Sequence, residues 1–236
     1  MDGIRARVAC APEMEVTLEA NPGAVDQGHF AAYRAAGVNR LSIGVQSFDR
    51  EMLQRLGRIH GPEEAVAAVA AARRAGFDNL NLDLMYGLPG QGQDAAGQDL
   101  EAAISLQPEH LSYYQLTIEP GTAFHKAGVV AGDSEGALFE TTQDVLAAAG
   151  LSAYEISNHC RPGAECRHNL NIWRGGDYIG IGPGAHGRLR VDGGNGWEEV
   201  RNIPSPNGWR AAVEKAGHGA AHRAPLNTTE RAEELL

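Results

Sequence analysis

Hydrophobic positions in this chain fall into short period-two runs separated by longer helical stretches. Val16 and Leu18, then Leu41, Ile43 and Val45, then Leu80, Leu82 and Leu84, then Leu116 and Ile118 alternate with small or polar residues. That spacing predicts strands with one apolar face. Residues 31–37, 65–76 and 138–150 read as helices ended by glycine, each leading into a strand, at 41–45, 80–84 and 153–156. The helix from Pro62 has proline in its first turn, Glu63 and Glu64 near its start and Arg73 and Arg74 near its end, which suits capping and the helix dipole. Residues 1–12 read as the tail of a helix with no strand before it.

Repeated helix–glycine–strand units predict a parallel sheet. The polar residues expected near strand ends, Glu19, Gln46, Asp83 and Thr117, recur at roughly 30-residue intervals, one βα unit each. Four or five units are too few to close an eight-stranded barrel, so the fold class expected is α/β with an open sheet. The other face of the strands carries Thr17 and Glu19, Ser42, Gly44 and Gln46, Asn81 and Asp83, Gln115 and Thr117. Parallel strands are normally apolar on both faces, so this polar face is expected to line a cavity for a polar ligand. The alternative, a network of satisfied core hydrogen bonds, stays open.

Composition narrows the picture. Of 236 residues, 43% are hydrophobic and 21% charged, the balance of a globular protein that buries a core without staples. A net charge of −10 argues against a general nucleic-acid surface, which needs clustered cations. Cys10, Cys160 and Cys166 are too few and too scattered for a disulfide framework, and no signal peptide or long apolar run is present. The cytosol is the expected compartment, with no integral membrane segment.

Five stretches occur in one order: 15–23 (EVTLEANPG), 40–48 (RLSIGVQSF), 56–60 (LGRIH), 81–90 (NLDLMYGLPG) and 168–173 (HNLNIW). Together they resemble the HemW branch of the radical SAM superfamily, which is related to oxygen-independent coproporphyrinogen III oxidase. The resemblance runs from about Glu15 to about Gly187. It implies a partial (β/α) barrel of the TIM-like radical SAM type, with S-adenosylmethionine across the carboxyl ends of the strands. It also implies that Glu19, Gln46, Arg58 and Asp83 are the contacts to that cofactor. A zwitterionic amino acid and a ribose need carboxylate, amide and guanidinium partners. The stretch 168–173 resembles a His-Asn-x-x-Tyr-Trp motif associated with heme binding, with Ile172 where the family has Tyr. It makes His168 the candidate heme ligand, since neutral imidazole is a common axial ligand. His159, Arg161, Arg167, Arg174, Arg188 and Arg190 form a basic cluster in sequence that is expected to receive heme propionates.

The family's [4Fe–4S] cluster needs a Cys-x-x-x-Cys-x-x-Cys triad, and none exists here; the Gly-Gly-Gly-Thr-Pro stretch is missing too. Both precede the Glu15 segment in the family, so the chain is expected to lack the first βα units and, at its other end, the C-terminal domain. No metal site and no radical catalysis are expected from this chain alone. Cys160 and Cys166, separated by five residues, fall outside the usual spacing of structural zinc pairs. Residues 180–185 (GIGPGA) mimic a dinucleotide fingerprint but read as a tight loop, because a Pro-Gly step does not open a helix. The expected division is a barrel core over 1–190 and, over 191–236, a loop-rich linker leading into a helix from Thr228. Three readings follow: a HemW-like chaperone that binds heme and delivers it to a heme-accepting protein, a coproporphyrinogen oxidase, or a non-functional fragment.

Overall fold

The protein is described here by a computed structural model covering residues 1–131, 135–191 and 196–234. It divides into two compact units, Met1–Glu165 and Cys166–Leu236.

The first unit opens with a short helix α1 (Asp2–Arg5) and then alternates strand and helix. The elements are β1 (Thr17–Ala20), α2 (Ala24–Ala35), β2 (Arg40–Gln46), α3 (Arg50–Arg55), α4 (Pro62–Arg74), β3 (Leu80–Tyr86), α5 (Gln93–Ser105) and β4 (His110–Gln115). After them come α6 (Ala123–Lys126), α7 (Glu135–Ala148), β5 (Ser152–Ala153) and β6 (Asn158–Cys160). The strands form one six-stranded sheet in the order β1-β2-β3-β4-β6-β5. The first four are parallel, as the repeated units predict, while β6 pairs antiparallel with β4 and β5.

The apolar face is as the alternation predicts. Leu41, Ile43, Val45, Leu80, Leu82, Leu84 and Leu111 have no exposed surface and pack beneath the helices with Phe30, Phe77, Leu100 and Leu146. Helix α4 buries Ala65, Ala68, Val69 and Ala72, the i, i+3, i+4, i+7 stripe of an amphipathic helix. The Glu64 carboxylate accepts from the Gly61 N–H at 2.8 Å at its start. At its end Arg73 forms a forked pair with Glu109 at 2.9 and 3.0 Å, and Glu109 also accepts from the Leu80 N–H at 2.9 Å. One exposed helix end is thereby fixed to the start of two strands.

Two expectations are corrected in this unit. The fourth strand is His110–Gln115 rather than the Leu116–Ile118 stretch, so Thr117 lies beyond it. Leu116 and Ile118 join a separate apolar cluster with Met52 and Leu88; their alternation reflects a segment pinned by two side chains. The strand expected at 153–156 is shorter and is followed by a turn into β6.

The second unit holds α8 (Arg167–Trp173), β7 (His186–Val191), β8 (Gly196–Asn202), α9 (Pro206–Ala216), β9 (Ala220–Leu226) and α10 (Thr228–Glu233). Its three strands make an antiparallel sheet in sequence order. Residues 196–234 hold two strands and two helices where a loop-rich linker leading into one helix is expected. Pro206 stands in the first turn of α9 behind the Ser205 cap, a place where its missing N–H costs nothing. Trp197 lies beneath the Arg231 guanidinium, 4.1 Å from the ring centre.

Candidate functional site

On the polar face of the parallel sheet, register sets the neighbours: Glu19 beside Ser42, Ser42 beside Asn81, and Asp83 beside Ser112. Asp83 lies in the middle of β3 rather than at its end. Its carboxylate accepts from Ser42 Oγ at 3.0 Å and from Asn81 Nδ2 at 2.7 Å. Burial pushes its pKa up, the hydrogen bonds from Ser42, Asn81 and Ser112 pull it back, and the Glu19 carboxylate pushes it up again. Asn81 Oδ1 faces the other way, 2.6 Å from His110 Nδ1 and 3.1 Å from Ser112 Oγ. His110 Nε2 lies 2.8 Å from the Tyr154 hydroxyl, and Ser112 Oγ lies 2.5 Å from Asn158 Oδ1. A network of hydrogen bonds thus surrounds Asp83, and Glu19 on the same face is exposed. Composition and alternation located this face; the roles of His110, Tyr154 and Asn158 in it depend on a strand pairing that the sequence does not display.

Gln46 closes β2 with a left-handed backbone, φ 70°, at a register shift in the β2–β3 ladder. Left-handed backbone is costly outside glycine and persists only where surroundings impose it. On one side Val45 O is held 3.0 Å from His60 Nε2. On the other, Asp99 of α5 accepts from Ser47 Oγ at 2.7 Å and from the Phe48 N–H at 2.6 Å. Gln46 Nε2 lies 3.1 Å from where a side chain on Gly44 would begin, so Gly44 leaves the space its amide occupies.

Arg58 stands apart from these three in the loop between α3 and α4. It is exposed and lines a pocket of about 480 Å³ with Asn21, Gly23, Asp26, His60 and Glu64. Since Asn21 follows β1 and His60 is bonded to Val45, this pocket lies by the carboxyl ends of β1 and β2. Two carboxylates, an amide over a glycine gap and, from the pocket, a guanidinium are the donor and acceptor types that S-adenosylmethionine needs. An iron–sulfur cluster does not fit. Among the described residues no group of three metal-ligating side chains exists, and burial pushes the Cys160 thiol up to about 11. No helix among the described residues is long and apolar enough to cross a membrane.

In the second unit His168 sits exposed in the first turn of α8. Ile172, one turn on along the same face, is 38% exposed and Trp173 is 49% exposed. Within this unit two cations of the basic cluster expected around the histidine already have acidic partners. Arg188 pairs with Glu234 and Glu199, and Arg190 pairs with Asp177 at 2.9 Å. Buried His159 bonds to Gln143 at 3.1 Å.

The radical SAM superfamily profile matches residues 2–103. The heme chaperone HemW of Escherichia coli (strain K12) is 53% identical over 196 residues, covering 82% of this chain and 52% of that protein. The mitochondrial radical S-adenosyl methionine domain-containing protein 1 of Bos taurus is 40% identical over 232 residues, covering 95% of this chain and 52% of that protein. The chain thus spans about half the length of the curated relatives it matches. Among solved structures, the coproporphyrinogen III oxidase HemN of Escherichia coli, titled a radical SAM enzyme, superposes with a TM-score of 0.81 over 98% of this chain and 56% of its own, at 21% identity. That likeness speaks for the fold. The motif order, the parallel sheet with its polar face, and relatives of up to 53% identity agree: the chain is a HemW-like member of the radical SAM superfamily.

Proposed function

We propose that this chain is the heme-carrying part of a cytosolic heme chaperone, which binds heme and hands it to a heme-requiring protein. The observation that carries the reading is exposed His168 with Ile172 and Trp173 on the same short helix. An open imidazole offers an axial ligand, and exposed apolar side chains offer the surface a porphyrin covers. The relatives named as heme chaperones support it.

In the same reading Glu19, Gln46, Asp83 and Arg58 would hold S-adenosylmethionine. Bound there, that cofactor would supply an activated sulfonium, and the residues of this chain would bind and orient it. The delivery step is tested by mixing heme-loaded chain with apomyoglobin and following the Soret band. Transfer on mixing is the expected outcome, and heme retained by the chain would contradict a chaperone role.

A further inference from the structure

We propose that Asp99 is a positioning residue for S-adenosylmethionine: from helix α5 it clamps the loops that follow β2 and β3 and so holds Gln46 in its left-handed conformation, with its amide over Gly44. The proposal rests on the reading of Gln46 and Asp83 as cofactor contacts.

Asp99 is 2% exposed, yet no cation pairs with it among the described residues. Its two oxygens instead take three donors from two loops. Oδ1 accepts from the Phe48 N–H at 2.6 Å, and Oδ2 accepts from Ser47 Oγ at 2.7 Å and from Gln91 Nε2 at 3.3 Å. Gln91 in turn accepts the Leu88 N–H on Oε1 at 3.2 Å, which fixes the turn after β3. Ser47, completely buried, also receives the Asp49 N–H at 3.0 Å, and Asp49 caps α3. In the segment 47–49, directly after Gln46, the Ser47 hydroxyl and the Phe48 N–H are thus directed at Asp99 and the Asp49 N–H at Ser47, while the Ser47 N–H turns back to Val45 O at 3.0 Å.

A buried carboxylate is an expensive way to satisfy three donors. Burial pushes its pKa up, Ser47 and Phe48 pull it down, and Asp49 pushes it up. The donors it accepts belong to the loops after β2 and β3, so the carboxylate ties both loops to α5. Asparagine cannot replace it, because one of its two arms becomes a donor and faces either the Phe48 N–H or the Ser47 and Gln91 donors.

The test is a double-mutant cycle on S-adenosylmethionine affinity, measured calorimetrically on the whole chain with Asp99→Asn, Gln46→Ala and the pair, beside amide exchange at residues 47–49. The expected result is a loss of about tenfold or more in affinity for Asp99→Asn, little further loss in the Gln46→Ala background, and faster exchange at Phe48. Should Asp99→Asn fail to fold, Ser47→Ala enters the same cycle with a smaller loss expected. Independent, additive losses would overturn the positioning role while leaving the cofactor reading in place. Absence of binding by the parent chain would remove the cofactor reading, and the proposal with it.

Discussion

His110 shows how far a single side chain is determined by its neighbours. The Asp83 carboxylate can only accept, so the Asn81 amide must turn its nitrogen toward it and its oxygen toward His110 and Ser112. His110 therefore carries its proton on Nδ1 and accepts the Tyr154 hydroxyl on Nε2. Burial, then the charge of Arg40, then His159 lower its pKa to about 3. A depressed histidine contributes stability that is complete above its ordinary 6.5 and is lost as pH falls toward about 3. Asp83 acts in the opposite sense, its raised pKa favouring the folded state as pH falls through the window just above 3.8. Comparing parent with His110→Gln cancels the Asp83 contribution. Urea midpoints at pH 7 and pH 5 should show the parent losing about 2 kcal/mol more than the variant; equal losses would mean that His110 is not held neutral.

At the scale of elements, the strands with a full aliphatic face were legible and those without one were not. Leu41, Ile43 and Val45, like Leu80, Leu82 and Leu84, present three buried positions in strict alternation. β4 presents only Leu111 and Tyr113 on its apolar side, between His110, Ser112 and Tyr114, so the more regular Leu116–Ile118 pattern outweighs it. β8 and β9 contain Glu198, Glu199, Arg223 and Pro225 among few β-branched residues. Ion pairs such as Arg201–Glu199 at 3.0 Å link their side chains, and no periodicity reveals them. The glycine stretch at 180–184 was read correctly as a tight loop. Gly182 and Gly184 have φ of 115° and 69°, and a Cβ on Gly180 would fall against the His186 carbonyl. Gly180→Ala should therefore cost about 1–3 kcal/mol; denaturant unfolding measures it, and a neutral effect would mean the loop relaxes freely.

For the whole molecule, motif spacing placed Glu19, Gln46 and Asp83 on a common sheet face, whereas Asp99 escaped notice because a lone acidic residue within a helix carries no pattern. The same limit explains the basic cluster. Neighbours in sequence, Arg188 and Arg190 are already engaged by Glu234 and Asp177, while His168 remains open. The measurement that bears most directly on the account is a heme titration of the chain by visible absorbance, parent against His168→Ala. A saturable Soret shift that disappears in the variant is the predicted result; no shift, or the same shift in both proteins, would contradict heme carriage at His168.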